Sequence, residues 1–227
     1  AAAQGRFAPV WALRAAGPAV AVGAVVGDVG DRERMFSVFR EVRPQVVAHA
    51  AAHKHVPLME SNATEAVKNN VLASLTLGEV AGECGVEAFI LISTDKAVRP
   101  SSVMGATKRV AELVVQGLGH RYATRYVAVR FGNVLGSAGS DAKRMIELSG
   151  HRRSGEIDIV FTGVRPGEKL FEELQYGGEA IDKTRHPKIF VGKIAGVPAA
   201  ELSAAVASLR GLATSGSSDE IRAFLGA

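Results

Sequence analysis

The sequence predicts an α/β protein built on a doubly wound parallel sheet, with a smaller C-terminal region. Three observations support this class. Strand-like apolar runs alternate with helix-like segments along the first 130 residues. Residues 88–92 form a continuous apolar run, as expected of a strand that is buried on both faces. Polar and charged side chains follow where several of these runs end, which is where parallel sheets bind ligands.

Residues 1–140 are predicted to hold the sheet. Apolar side chains recur there at helical spacing, as Met35, Phe36 and Phe39 do. The longest predicted helix opens with residues 62–65, NATE, a pattern that resembles a capping box. The predicted strands are residues 19–26, 45–48, 88–92 and 126–130, and the predicted helices are residues 31–42, 62–84 and 104–118.

Residues 141–227 are predicted to form a shortened C-terminal region that binds substrate. The pattern of predicted elements changes after Ser140, where short amphipathic segments replace the regular alternation of strands and helices. The predicted elements are helices at residues 141–148, 168–176, 199–212 and 219–225, strands at 157–161 and 188–191, a polar loop at 162–168 and a linker at 211–218.

Composition narrows the function classes. The chain has 27 basic and 23 acidic residues, and no basic run exceeds Arg152-Arg153, so we predict an anionic small ligand and no nucleic-acid partner. The single cysteine, Cys84, excludes an internal disulfide. No segment is a convincing transmembrane span or signal peptide, although a membrane anchor upstream of Ala1 stays open. We expect a cytoplasmic protein, or one at the cytoplasmic face of the inner membrane if such an anchor exists.

Residues 91–108, LISTDKAVRPSSVMGATK, are the most informative stretch. Asp95 and Lys96 stand side by side where an apolar run ends, and Lys108 follows twelve residues later. An acid and an amine at the carboxyl edge of a parallel sheet predict proton-transfer chemistry on a small molecule. A salt-bridged loop between strand and helix is the competing interpretation, and the pattern as a whole makes it the weaker one.

Two other predicted strands also end in candidate ligand-binding residues. Asp28, which follows residues 19–26, is placed to accept a hydrogen bond from adenine, but Gly-Asp taken alone favours a simple turn. His49, Ala50 and Ala51 follow residues 45–48, and such small residues let a flat cofactor approach the backbone.

The loop that continues from Ala51 contains further polar side chains. Lys54 and His55 suit a sugar or a phosphate, although a solvated loop is the plainer alternative. The three histidines His49, His53 and His55 invite a metal interpretation. We predict no metal site, because a fourth ligand is missing nearby and Lys54 would repel a cation.

Several amides and charged groups complete the candidate site. Asparagine is a poor helix former, so Asn69-Asn70 within a predicted helix indicates either a hydrogen bond to a strand end or water, or a buried structural residue. Asn133 offers an amide after residues 126–130. Arg165 is suited to a diphosphate and Glu168 to sugar hydroxyls, and the alternative for their loop is a Pro-Gly turn.

Four blocks, GDVGDRERMFSVFREVRPQVVAHAAAHKHVPLMESNATEAVKNNV, FILISTDKAVRPSSVMGATKRVAEL, VRFGNVLGS and IVFTGVRPGEKLFEEL, cover about half of the chain. They resemble the CapD-type polysaccharide biosynthesis proteins, nucleotide-sugar 4,6-dehydratases of the extended short-chain dehydrogenase/reductase superfamily. The resemblance implies a Rossmann-like fold, a tightly bound NAD or NADP, and a UDP-N-acetylhexosamine substrate, which we expect to be UDP-N-acetylglucosamine.

The implied reaction removes hydride from C-4 of the sugar, eliminates water across C-5 and C-6, and returns the hydride to C-6. The resemblance makes Asp95 the acid for the 6-hydroxyl, Lys96 the base for the C-5 proton, Thr94 a contact of the 4-hydroxyl, and Lys108 a ligand of the nicotinamide ribose. The candidate catalytic residues are Thr94, Asp95, Lys96, Met104 and Lys108; the cofactor-binding candidates are Asp28, Val29, His49, Ala50, Ala51, Asn70, Ser93 and Lys108; and the substrate-binding candidates are Lys54, His55, Asn133, Arg165 and Glu168.

The sequence departs from the family pattern at three places. Met104 replaces the usual tyrosine four residues before the lysine, so we expect Thr94, or Asp95 through a water, to take the 4-hydroxyl proton. The glycine-rich first turn of a dinucleotide fold is absent, as are several dozen residues between Ser140 and Asp141. We therefore expect the first βα unit and part of the substrate domain to be missing.

Two alternatives to the dehydratase and one question about assembly stay open. One alternative is a truncated or degenerate paralogue that binds nucleotide sugar weakly or scaffolds a partner. The other is a nucleotide-sugar C-4 epimerase, which needs no acid at the 6-hydroxyl. The sequence also leaves open a homo-oligomer.

Overall fold

The computed structural model describes residues 21–132, 167, 169, 171–175 and 181–226. A three-stranded sheet, a small hairpin and the helices around them make up this part of the chain. In chain order the elements are α1 (Arg32–Val42), β1 (Val46–His49), α2 (Val56–Ser61), α3 (Ala63–Ala66), a π-helix (Val67–Leu72), α4 (Ala73–Glu83), β2 (Ala88–Ile92), a 3₁₀ helix (Asp95–Ala97), α5 (Val103–Leu118), β3 (Arg125–Val129), β4 (Ile181–Lys183), β5 (Phe190–Gly192), α6 (Ala199–Ser215) and α7 (Ser218–Leu225).

The three strands are parallel and lie in the order β1-β2-β3. His49 is paired with Leu91, and Ile92 with Val129, so all three carboxyl ends lie at one edge. The loops that follow them therefore meet along that edge. The predicted parallel α/β class is confirmed, and three predicted strands agree with β1, β2 and β3 to within a residue at each end.

The described helices α1, α4 and α5 cover one face of this sheet. Phe89 and Leu91 of β2 are fully buried there, in a cluster that includes Met35 and Phe39 of α1. On the opposite face Val127 is 41% exposed and Val129 is 40% exposed. Among the described residues, helices therefore cover one face of the sheet. Their packing holds β2 and the loop that follows it in place.

Side-chain caps set where α1 and α5 begin. Asp31 accepts a hydrogen bond from the Arg34 amide at 3.0 Å and starts α1. Ser102 accepts from the Gly105 amide at 3.2 Å and starts α5. Each cap satisfies one of the amides that a helix leaves unpaired at its first turn.

The C-terminal helices share a core with the sheet region. Leu209 of α6 and Ile221 of α7 are fully buried in one cluster with Val67 and Met104. The division of the chain at residue 140 stays a prediction, although α6 and α7 pack directly on the helices of the first part. Among the helices that the structure describes, none has the length and apolar character needed to cross a lipid bilayer.

The strand predicted at residues 19–26 is wrong over the described residues 21–26, which are irregular. Val25 is 53% exposed and Val26 is 76% exposed, so neither is shielded as a sheet residue would be. The guanidinium of Arg34 donates to the carbonyl of Val26 at 3.1 Å. A strand needs a neighbouring strand for its backbone groups, and the carbonyl of Val26 is bound by a side chain instead.

The helix predicted at residues 62–84 is one continuous path in three parts, α3, the π-helix and α4. Its predicted capping box is wrong, because the Asn62 side chain donates back to the Leu58 carbonyl at 2.8 Å and makes no cap bond. The reason is α2, a short helix that the sequence did not predict and that ends directly before Asn62.

The C-terminal predictions are partly wrong. Residues 171–175, predicted as helix, are irregular. The strand at 188–191 appears as β5, paired antiparallel with the unpredicted β4. Most of the linker at 211–218 is helical, since α6 continues to its left-handed C-cap Gly216 and Ser217 then caps α7. The elements predicted at 141–148 and 157–161, and the loop at 162–168 apart from Gly167, lie outside the described residues.

Candidate active site at the carboxyl edge of the sheet

Thr94, Asp95 and Lys96 form one hydrogen-bonded group directly after β2. The Thr94 hydroxyl donates to Asp95 Oδ1 at 2.8 Å, and Lys96 Nζ donates to the same oxygen at 3.1 Å. Asp95 is only 2% exposed, and its amide donates to the Phe131 carbonyl after β3 at 3.3 Å. The structure thus brings together an acid, an amine and a hydroxyl, while the catalytic roles assigned to them stay predictions.

The first turn of α5 lies tightly against this group. A Cβ atom on Gly105 would overlap the carbonyl oxygen of Lys96, so only glycine allows the helix to come this close. The Glu60 carboxylate of α2 accepts from the Val103 amide at 2.7 Å and fixes the same turn. The approach brings Lys108, one turn further along α5, to the end of β2.

Lys108 is 5% exposed, and its Nζ donates to the Ile92 carbonyl, the last of β2, at 2.7 Å. Burial lowers the pKa of Lys108 to about 8, against the opposing effect of Glu112, which raises it. An amine with such a pKa is charged or neutral depending on small changes around it. The placement agrees with the predicted ribose contact, which itself stays a prediction.

His49, at the end of β1, is buried and neutral. Burial and the nearby charge of Lys108 lower its pKa to about 4. The Ser74 hydroxyl donates to the Asn70 carbonyl at 2.8 Å, so it has no second proton for the imidazole 2.9 Å away. His49 Nε2 must therefore carry the hydrogen, an assignment made from this count of donors.

Asn70 lies in the π-helix and is fully buried. Its side-chain oxygen accepts from the His53 amide at 2.8 Å, and its amide group donates to the His53 carbonyl and to the Thr107 hydroxyl, both at 3.1 Å. Asn70 thus ties the loop after β1 to α5. π-Helices are rare and occur often at functional sites.

Met104 occupies the position of the usual tyrosine and is 3% exposed. Its side chain belongs to the cluster that also contains Val103 and Leu209, so it packs as a core residue. A thioether has no proton to transfer. At the end of β2, the Thr94 hydroxyl is the one that contacts the Asp95 carboxylate.

The remaining cofactor and sugar candidates lie on the rim of the edge. Asp28 is exposed, and its carboxylate accepts from the Gly30 amide at 2.8 Å, which is the turn interpretation of this motif. Val29 is half-buried, and the exposed rim candidates are Ala50, Ala51, Lys54 and His55. Asn133, Arg165 and Glu168 lie outside the described residues.

Residues 167–175, where described, contact the loop after the 3₁₀ helix. Lys169 donates to the Val98 carbonyl, and Glu173 pairs with Arg99, whose backbone is left-handed at φ 40°. Ser101 donates to the Gly167 carbonyl at 3.4 Å. These contacts place part of the GEKLFEEL block beside the candidate catalytic group.

Sequence reasoning missed Glu112. Its carboxylate is buried between α5 and the ends of β2 and β3, where it accepts from Ser93 at 2.7 Å, from Arg130 at 2.8 and 2.7 Å, and from Arg109 at 2.9 Å. Burial alone would raise the pKa of Glu112, but hydrogen bonds from Arg130 and Ser93 outweigh it and hold that pKa below its ordinary value. Its spacing, four residues after Lys108 on a helix, was the available signal.

A parallel sheet with polar side chains at its carboxyl edge defines a Rossmann-like ligand-binding fold. A family model described as polysaccharide biosynthesis protein matches residues 13–141 and 140–194, and the chain belongs to this family. The family resemblance drawn from the motif blocks is confirmed. In agreement with the fold, the structure called Pen from Bacillus thuringiensis superposes with a TM-score of 0.52 at 30% identity, over 58% of this chain and 42% of that one.

Curated relatives match much of the chain at moderate identity. The capsular polysaccharide biosynthesis protein CapD of Staphylococcus aureus is 39% identical over 75% of this chain and 39% of that protein. The inverting UDP-N-acetylglucosamine 4,6-dehydratase of Campylobacter jejuni is 31% identical over 80% of this chain and 55% of that protein. The UDP-glucose 4-epimerase of Rickettsia bellii is 34% identical over 51% of this chain and 34% of that protein. The chain thus spans about two fifths of the length of its CapD relative.

Proposed function

We propose that this protein is a nucleotide-sugar 4,6-dehydratase that converts a UDP-N-acetylhexosamine to its 4-keto-6-deoxy form in the synthesis of a surface polysaccharide. The observation that carries the proposal is the contact of Thr94 and Lys96 with one oxygen of Asp95 at the end of β2. Elimination of water needs an acid and a base close together, and this group supplies both. The 31% identity to a protein named as such a dehydratase supports the choice of reaction.

The described residues fit the nicotinamide-ribose half of a dinucleotide. Lys108 offers a buried ammonium at the end of β2, and Ala50 and Ala51 leave the backbone after β1 open to a flat ring. The cofactor, when bound, supplies the hydride chemistry. An absorbance band of bound nicotinamide in the purified chain supports this fit, and its absence from folded protein argues for a non-catalytic paralogue.

The chain's own residues then divide the proton transfers. Asp95 gives a proton to the departing 6-hydroxyl, and Lys96 takes the proton from C-5. Water leaves as the C-5–H and C-6–O bonds break and a double bond forms between C-5 and C-6. When the hydride returns to C-6, Lys96 gives its proton back to C-5. Thr94, which donates to Asp95 Oδ1, passes the 4-hydroxyl proton to that carboxylate, so that both groups end each turnover as they began.

The test is incubation of the chain with UDP-N-acetylglucosamine and NAD or NADP, with the product identified by NMR. We expect a 4-keto-6-deoxy sugar from the unmodified chain. Asp95→Asn and Lys96→Ala should each lower turnover by about 10²- to 10⁴-fold, the usual contribution of general acid-base catalysis. Asp182→Asn, a matched change on the exposed β4 strand, should leave turnover intact. Full turnover by Asp95→Asn would overturn the proposal.

A C-4 epimerase is the second candidate, favoured by the 34% identity to a protein named UDP-glucose 4-epimerase. Epimerisation breaks no bond at C-6 and needs no acid there. Asp95→Asn therefore separates the two reactions, since it should spare an epimerase and abolish a dehydratase. A product epimeric at C-4 that still carries its 6-hydroxyl would establish the second candidate.

A further inference from the structure

Four charged side chains meet beneath the candidate site, and the proposed chemistry uses only one of them. Glu112 is 1% exposed, and the side chains of Arg130 and Arg109 are 10% and 19% exposed. Lys108 lies one turn earlier on the same helix. Buried ions without direct contact to substrate are costly to desolvate, so this cluster calls for an explanation beyond packing.

The Glu112 carboxylate is fully paired. It accepts one hydrogen bond from Ser93, two from Arg130 and one from Arg109, which fills the four acceptor positions of a carboxylate. Ser93 is the residue before Thr94, and Arg130 directly follows β3. One carboxylate on α5 therefore holds the ends of two neighbouring strands, and the catalytic group is attached to one of them.

We propose that Glu112 is a positioning residue of this site, whose charge keeps the Lys108 ammonium protonated and whose hydrogen bonds fix Ser93 next to the Thr94–Asp95–Lys96 group. The inference rests on the proposed dehydratase only for its effect on turnover.

The electrostatics around Lys108 support a specific role for this anion. On α5, Lys108 faces Glu112 and the adjacent Arg109. From β1 it faces His49, which is neutral. Asp95 lies after β2 and is paired with Lys96, and Arg130 lies after β3 and is bound to Glu112. Glu112 is the group that raises the pKa of Lys108 against burial. Without it, burial would lower the pKa of Lys108 with no opposition from this carboxylate.

The test is an NMR titration of Lys108 in protein labelled at lysine, with Lys108→Arg to assign the signal. In the unmodified chain we expect a pKa of about 8. In Glu112→Gln we expect it to fall to about 7 or below, the change typical of losing a nearby opposite charge. Glu83→Gln, which removes a carboxylate paired with Arg32 on the outer surface, is the matched control and should leave Lys108 unchanged. An unmoved Lys108 in folded Glu112→Gln overturns the proposal.

A second variant keeps the proposal testable if Glu112→Gln does not fold. Arg109→Gln removes a partly exposed cation that shares the carboxylate, while the Arg130 pair remains. Lys108 should then titrate at a higher pH than in the unmodified chain, and an unchanged titration counts against the proposal.

The pH dependence of turnover separates a positioning role of Glu112 from a purely structural one, which would leave that dependence unchanged. In Glu112→Gln the alkaline limb of the pH profile should shift to lower pH together with the Lys108 titration, and an unmoved limb in an active variant overturns the positioning role.

The two proposals fail separately. If Lys108 shifts as expected but the unmodified chain makes no 4-keto-6-deoxy sugar, the dehydratase fails and the electrostatic role of Glu112 stands.

Discussion

At the scale of single residues, burial affects the pKa values of two basic groups at this edge more than nearby charges do. His49 and Lys108 both lie inside the protein, and desolvation is the largest effect on the pKa of each. Both are thereby held closer to neutrality than they would be in water. The polar residues on the rim, such as Lys54 and His55, are exposed.

The buried imidazole makes stability depend on pH in the acid range. Because the pKa of His49 is lowered from 6.5 to about 4, the unfolded chain takes up a proton that the folded chain refuses between those values. The contribution is fully present above pH 6.5 and is lost as the pH falls to 4, by roughly 3 kcal/mol. Denaturant unfolding of the unmodified chain and of His49→Gln at pH 7 and pH 4.5 measures it.

The variant should lose less stability than the unmodified chain between these two pH values. Equal losses in the two proteins would show that His49 is not the residue responsible. The amide of glutamine can still donate toward Ser74, so the comparison isolates the titration from the hydrogen bond.

Gly105 gives the second residue-scale prediction. A Cβ atom there would overlap the Lys96 carbonyl, so Gly105→Ala should displace α5 from the 3₁₀ helix and lower turnover by at least about 10²-fold, as misplacement of catalytic groups by an ångström does. Gly211→Ala on α6, where a Cβ meets nothing, is the control and should keep full turnover. Turnover of Gly105→Ala equal to that of Gly211→Ala would contradict the tight approach.

At the scale of elements, the π-helix is the feature that connects two parts of the site. It inserts Asn70 between the loop after β1 and α5, where the side chain makes three hydrogen bonds. The sequence indicated that the Asn69-Asn70 pair was unusual in a helix, and the alternative of a bond to a strand end is close to what the structure shows. The π-turn itself could not be predicted, because it depends on a partner loop some seventeen residues away in the sequence.

Asn70→Ala should lower the free energy of unfolding by about 2 to 3 kcal/mol, since it removes all three hydrogen bonds of a fully buried carboxamide, including the one to the buried Thr107 hydroxyl. Asn69→Ala should cost less than about 1 kcal/mol, because the Asn69 carboxamide only shares the His53 amide at 3.1 Å. Denaturant titration of both variants measures the difference. Equal losses would mean that the burial of Asn70 does not matter.

The elements that were predicted well are those whose signal is local. β2 is a continuous apolar run and was placed at its actual bounds, and α1 has both its capping residue and its apolar face in the sequence. The elements that were missed depend on distant partners. β4 exists through its pairing with β5, and residues 21–26 do not form a strand because no described strand lies beside them. For the same reason Glu112 was overlooked, since two of its partners arrive from other strand ends.

At the scale of the whole molecule, the C-terminal helices belong to the same core as the candidate site. Leu209 and Ile221 are fully buried with Met104, which lies on the helix that carries Lys108. A change in α6 is therefore expected to reach the site through packing. The motif blocks in the sequence indicated the chemistry of residues 91–108, but they gave no sign of this support, because apolar helix faces do not specify their partners.

Leu209→Ala should destabilise the protein by about 2 to 5 kcal/mol, the usual cost of a cavity in a packed core. Its unfolding should stay a single transition that includes the signal of the sheet region. Phe224→Ala, at a position 47% exposed on α7, should cost less than about 1 kcal/mol. A separate early transition in Leu209→Ala would show that α6 and α7 form an independent unit.

The central claim is that this edge of the sheet carries out an elimination with internal hydride return. The most direct measurement uses UDP-N-acetylglucosamine with deuterium at C-4 and follows the label by NMR and mass spectrometry. The proposal predicts a 4-keto-6-deoxy product with deuterium at C-6. A product that keeps its 6-hydroxyl and carries the label at C-4, or a 6-deoxy product without the label, would contradict it.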